Sequence, residues 1–195
     1  WFVASLVFGT LLLADAHGAR RIAAVLIYAI SVSALFGTSA LYHRGHWNAA
    51  WSRRLQRLDH AMIFFLIAGT ATPAFLVAAP GANGLVAVTV MWILTCIAAA
   101  IHLAWMSAPV RLVCATYVGL GWAAGLALPA LWMRIGVTPG VLILAGGLLY
   151  TAGALTFQRR RPNPFPAVFG YHEVFHSYVC AAATCHYVGL ALIIP

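Results

Sequence analysis

Apolar and polar residues along this chain come in long blocks. They do not alternate in twos, as in a half-buried strand, or in the three-to-four spacing of a surface helix. Apolar runs cover roughly Trp1–Ala14, Ile22–Tyr42, Asp59–Ala79, Gly84–Trp105, Val110–Trp132, Pro139–Phe157 and Tyr171–Ile194. Short segments holding most of the charge separate them. A helix needs about 20 apolar residues to cross a hydrocarbon core of ~30 Å. The pattern therefore predicts an all-α, polytopic membrane protein with seven transmembrane helices, organised as one domain over residues 1–195. The first run reaches only ~21 Å as a helix, and residues upstream of Trp1 are expected to complete it. A tight, uncharged turn is expected at Pro80–Asn83. The RRRPNPFP segment, Arg159–Pro166, reads as a basic linker stiffened by proline and suited to anionic lipid.

Composition strengthens this picture. The chain is 64% hydrophobic and 7% charged, whereas a soluble domain is about a quarter charged. A formal net charge of +8 would ordinarily raise nucleic acid as a partner. The basic residues, all arginine, instead lie in small clusters between apolar runs, as membrane loops do, so no nucleic acid is expected and the partners are membrane lipids. Eight of the arginines (44, 53, 54, 57, 111, 159, 160 and 161) fall on the side of the N-terminus, and Arg20, Arg21 and Arg134 on the other. The positive-inside rule then places the N-terminus in the cytoplasm and the C-terminus outside. Cys96, Cys114, Cys180 and Cys185 lie in apolar runs without a CxxC pair and imply no disulfide framework.

The acidic residues are Asp15, Asp59 and Glu173. Ionisable groups at membrane depth cost roughly 2.5–3.5 kcal/mol each on insertion scales and mark function by default. His172 and His176, four apart, share one face of a helix and can converge. With the predicted topology, His43 ends the second run with Ser39 one turn deeper, Asp59 opens the third, and His172 and His176 open the seventh. All fall at one depth near the cytoplasmic face. Three imidazoles with a fourth position for water form an open, catalytic zinc arrangement.

Other histidines fit less well. His186 lies ~15 Å beyond His176 along a helix and reads as a polar contact within the bundle. His46 falls in a loop, His60 is turned away from Asp59, and His17 is on the wrong side. His102 is a reserve ligand, and Cys180 a weaker one. Taken singly, Asp59 could cap its helix or pair with Arg57, and Ser39 could bond back to its own helix. His172–His176 also matches HExxH, in which Glu173 would be the general base of a metalloprotease.

Three motifs together, SALYH (Ser39–His43), LDHAMIFFLIAGTATP (Leu58–Pro73) and FGYHEVFHSYVCAAATCHY (Phe169–Tyr187), resemble those of the bacterial hemolysin III proteins. These are grouped with the progestin and adiponectin receptors (PAQR) and, more distantly, the alkaline ceramidases. The resemblance implies a bacterial inner-membrane location and a zinc ion held within the membrane by His43, His172 and His176. It places Asp59 against the water on zinc, with Ser39 beside the site. It does not carry Glu173 over as a base. By analogy with the ceramidase branch, the expected activity is zinc-dependent hydrolysis of a lipid amide with an acyl chain, with Asp59 and Ser39 as catalytic residues. A pore-forming or cytolytic protein, and a receptor or sensor with structural zinc, are the alternatives.

Overall fold

The computed structural model describes residues 1–79, 81–105, 107–126 and 128–194. Among these the chain is all-α, with eight helices: α1 (Phe2–Asp15), α2 (Ala19–Arg44), α3 (Ala49–Ala78), α4 (Ala82–Ala104), α5 (Val110–Gly125), α6 (Leu128–Ile135), α7 (Val137–Arg159) and α8 (Tyr171–Ala191). Four of them, α2, α3, α4 and α7, are long and apolar enough to cross a membrane. α1 and α5 are shorter apolar helices. α8, at 21 residues, has the length, but its histidines and Glu173 dilute its apolar character.

Two elements differ from the expected runs. α3 begins at Ala49 rather than at Asp59. Asn48 caps it, its side-chain oxygen accepting from the amides of Ala50 at 3.1 Å and Trp51 at 3.0 Å. This satisfies two of the orphan donors at a helix start. Arg53, Arg54 and Arg57 are therefore helical, and the connection from α2 is a few residues long. Asp59 lies about three turns inside the helix, which overturns the capping alternative for it. The run Val110–Trp132 is divided between α5 and α6, with Ala127 outside the described residues. Of the expected turn at Pro80–Asn83, Pro80 lies outside the described residues, and Ala82 already belongs to α4.

The helices group into two compact units. The first is built mainly from Trp1–Ser107 and the second is Ala108–Ile193. In the first, α1, α2, α3 and α4 pack in chain order. Small residues allow close approach: Gly69 faces Ser31, and Gly9 faces Ala29, the means by which helices in lipid gain packing contacts. The Trp92 indole donates to Thr72 Oγ1 at 3.0 Å, joining α4 to α3. In the second unit α7 packs along α8. His186 Nε2 bonds the Ile143 carbonyl oxygen at 3.0 Å and its ring occupies the notch left by Gly146. Trp122 on α5 donates to Thr151 on α7 at 3.1 Å.

The outward faces are apolar. Leu85, Val86, Val90, Ile93 and Ile97 of α4 are all exposed, far more contiguous apolar surface than a soluble monomer presents. Helices bond most of their backbone groups within the segment, so these faces suit lipid. The chain is an integral membrane protein.

Candidate metal-binding residues

In the first unit the end of α2 and the middle of α3 bring Ser39, His43 and Asp59 together. His43 lies in the last turn of α2, and its Nε2 is 3.9 Å from Asp59 Oδ2. That distance is an electrostatic contact rather than a hydrogen bond. Ser39, one turn earlier, hydrogen-bonds the same carboxylate. Asp59 is only 8% exposed, and a carboxylate so placed persists only with partners. The α3 helix supplies it from an interior turn, so its backbone is fixed on both sides.

In the second unit the start of α8 sets the position of His172 and His176. Two of its first amides are satisfied by side chains. Gly170 N–H donates to Glu173 Oε2 at 2.8 Å, and Tyr171 N–H donates to Asn163 Oδ1 at 3.0 Å. These bonds fix where the helix begins, and His172 follows as its second residue. His172 packs between Phe157 of α7, ring centroids 5.8 Å apart, and Phe175 at 6.2 Å. Phe175 also contacts His176 at 5.3 Å. The two imidazoles converge: His172 Nε2 and His176 Nε2 are 3.0 Å apart.

The donor chemistry of this imidazole pair fits a divalent metal. Nitrogen ligands at 2.0–2.1 Å in a tetrahedron lie about 3.3 Å from one another, and the observed pair needs only a slight opening to reach that. His43, in the first unit, offers an imidazole nitrogen of the same kind as His172 and His176 in the second.

The remaining histidines have other surroundings. His186 makes the interhelical contact expected of it, and His17 bonds the Asp15 carbonyl at 2.8 Å. His46 is exposed between α2 and α3. His102 is buried on α4 with its ring 5.9 Å from those of His60 and Phe64. Glu173 is exposed and its carboxylate is engaged on the Gly170 amide, the role of an acidic residue in the third helical position. A helix-start function thus accounts for the acidic residue of the HExxH match. Asn163 was not singled out from sequence as holding the start of α8. The Asn-Pro pair inside the RRRPNPFP linker, a turn-forming signal, is the feature that points to it.

Comparison with known proteins identifies the family. The family model described as "Haemolysin-III related" matches residues 1–187. The chain is 29% identical over 167 residues to a protein of Bacillus cereus named "Hemolysin-3", covering 85% of this chain and 73% of that one. It is 27% identical over 177 residues to a "Hemolysin-3 homolog" of Bacillus subtilis (strain 168), covering 91% of this chain and 80% of the relative. No solved structure matches it. On the span and order of this match, the chain belongs to the haemolysin-III related family.

Proposed function

We propose that this protein is an intramembrane zinc-dependent hydrolase of a lipid amide. In this reading seven helices cross the bacterial inner membrane with the N-terminus in the cytoplasm, as the arginine distribution suggests, and the relation to PAQR proteins extends to the site. The observation that carries the proposal is the convergence of His172 Nε2 and His176 Nε2 to 3.0 Å on a helix whose start is held by Asn163 and Glu173. His43 is the third ligand. Two ligands preset on one helix suit a metal that must be held while leaving a coordination position open.

Zinc bound there would polarise the amide carbonyl and lower the pKa of a water toward ~7. Asp59, beside His43 and bonded to Ser39, accepts the proton of the attacking water and returns it to the leaving amine. A C–O bond forms, the C–N bond breaks, and the products are a fatty acid and an amine. Ser39 orients the carboxylate before reaction and donates to the carbonyl oxygen as that atom gains charge. Burial of Asp59 strengthens its interactions with these partners. The acyl chain lies against the apolar helix faces, entering from lipid.

Asp59→Asn tests this reading. It keeps size and most hydrogen bonding but removes the base. Fold and metal content are expected to be unchanged. Release of fatty acid from a long-chain N-acyl amine should fall about 10²–10⁴-fold. An Asp59→Asn protein that retains metal, stability and full turnover would refute the mechanism.

The printed name "Hemolysin-3" on the Bacillus cereus relative favours a second reading, a cytolytic membrane protein. Dye release from lipid vesicles separates the two. Under the hydrolase reading, vesicles lacking an amide lipid stay sealed; lysis of them, unaffected by His172→Ala, would support the cytolytic one. If instead the metal is a structural bolt in a receptor, its removal should unfold the helices, and no substrate should be turned over.

A further inference from the structure

The connection between α7 and α8 is built in a way that the helices alone do not require. α7 ends in a Schellman turn: Arg160 N–H donates to the Phe157 carbonyl at 3.4 Å, and Arg161 N–H to that of Thr156 at 3.3 Å. The turn needs a left-handed residue, and glycine usually supplies it. Here it is Arg160, at φ 53°. Among the described residues it is the only non-glycine with positive φ. A strained residue kept where glycine would relax the backbone points to a use for its side chain.

Beyond the turn the chain forms a closed loop. Phe165 and Phe169 pair across it, with N–O distances of 3.1 and 2.7 Å, and Val168 N–H donates to the Phe165 carbonyl at 2.9 Å. This small frame holds apolar side chains outward: Phe165 is 69% exposed and Val168 83%. Arg159, Arg160 and Arg161 are exposed as well. The nearby acidic group, Glu173, is engaged on the Gly170 amide. The loop leaves a helix long and apolar enough to span, so it lies at a membrane surface whichever way the protein is oriented. Basic groups beside outward apolar ones match that interface, where apolar side chains enter the acyl boundary and cations meet head groups. Arginine, with a planar fork of donors, grips a phosphate in two places where lysine makes one contact.

We propose that this loop is a binding site for anionic phospholipid, in which Arg159, Arg160 and Arg161 hold the headgroup phosphate while Phe165 and Val168 anchor in the acyl boundary. The site is distinct from the histidine cluster and does not depend on the hydrolase reading.

The test uses the full chain reconstituted in phosphatidylcholine vesicles, with spin-labelled phosphatidylglycerol or phosphatidylcholine reporting which lipid the protein retains. The wild type should prefer phosphatidylglycerol. Arg160→Gly should lower that preference on the order of fivefold, the equivalent of one surface cation, while leaving the thermal midpoint unchanged or higher, because glycine suits the left-handed turn. The triple variant R159Q/R160Q/R161Q should abolish it. R53Q/R54Q/R57Q, with an equal charge change at the start of α3, should have the smaller effect. Equal loss in the two triple variants, or an unchanged preference in Arg160→Gly, would overturn the proposal. If the loop triple fails to fold, Arg160→Gly and F165S/V168S decide it: both must weaken retention.

Discussion

Gly146→Ala probes the packing that aligns α7 with α8, and so the platform for His172 and His176. A Cβ at Gly146 would overlap Cδ2 and Nε2 of His186 and lie 3.2 Å from the Ala182 carbonyl oxygen. The imidazole would have to withdraw, and its 3.0 Å bond to the Ile143 carbonyl would be lost. Overpacking of this kind costs about 1–3 kcal/mol. An interhelical hydrogen bond in a membrane protein contributes about 0.6 kcal/mol on average. Against these stands a gain of up to ~1 kcal/mol from replacing glycine in a helix. The net expectation is a loss of about 1–3 kcal/mol, read as a lower unfolding midpoint of the purified protein in micelles. Gly147→Ala is the control, because nothing lies within 4 Å of a Cβ there; it should be neutral or slightly stabilising. His186→Ala combined with Gly146→Ala should recover much of the loss, since the clash then has no ring to meet. Equal midpoints for the two alanine variants, or no recovery in the double variant, would refute the account of this interface.

Asn48→Ala should lower stability by about 1 kcal/mol through loss of the α3 cap, seen as a reduced midpoint with metal content unchanged. Glu173→Gln should leave metal content and turnover intact, because the amide oxygen can still accept from the Gly170 N–H; a fall in turnover of 10²-fold or more would instead mark Glu173 as a general base.

Most of the architecture was legible in block hydropathy. The all-α class and the positions of α2, α4 and α7 follow from apolar runs long enough to span. The ten-residue error at the start of α3 has a physical source. Arg53, Arg54 and Arg57 read as loop because charge interrupts an apolar run, yet a helix can continue past the membrane edge with arginines on it. The cap signal, Asn48 before Ala49, was the better guide. The break between α5 and α6 was similarly foreshadowed by Gly125 and Pro129, which apolar length outweighed. At the site, the His172 and His176 pairing was readable because i and i+4 share a helix face. The contact of Asp59 with both Ser39 and His43 was expected from depth alone, though its cause is an interior turn of α3 rather than a helix start. Asn163 escaped notice because the Asn-Pro pair signals a turn but not which amide the side chain meets once the loop folds back on α8.

The central claim is that His43, His172 and His176 hold one zinc ion. Metal analysis of the purified wild type against His172→Ala tests it most directly. About one zinc per chain in the wild type, lost in the variant while helicity persists, is the expected outcome. A wild type free of zinc after purification in its presence, or equal zinc in both proteins, would contradict it.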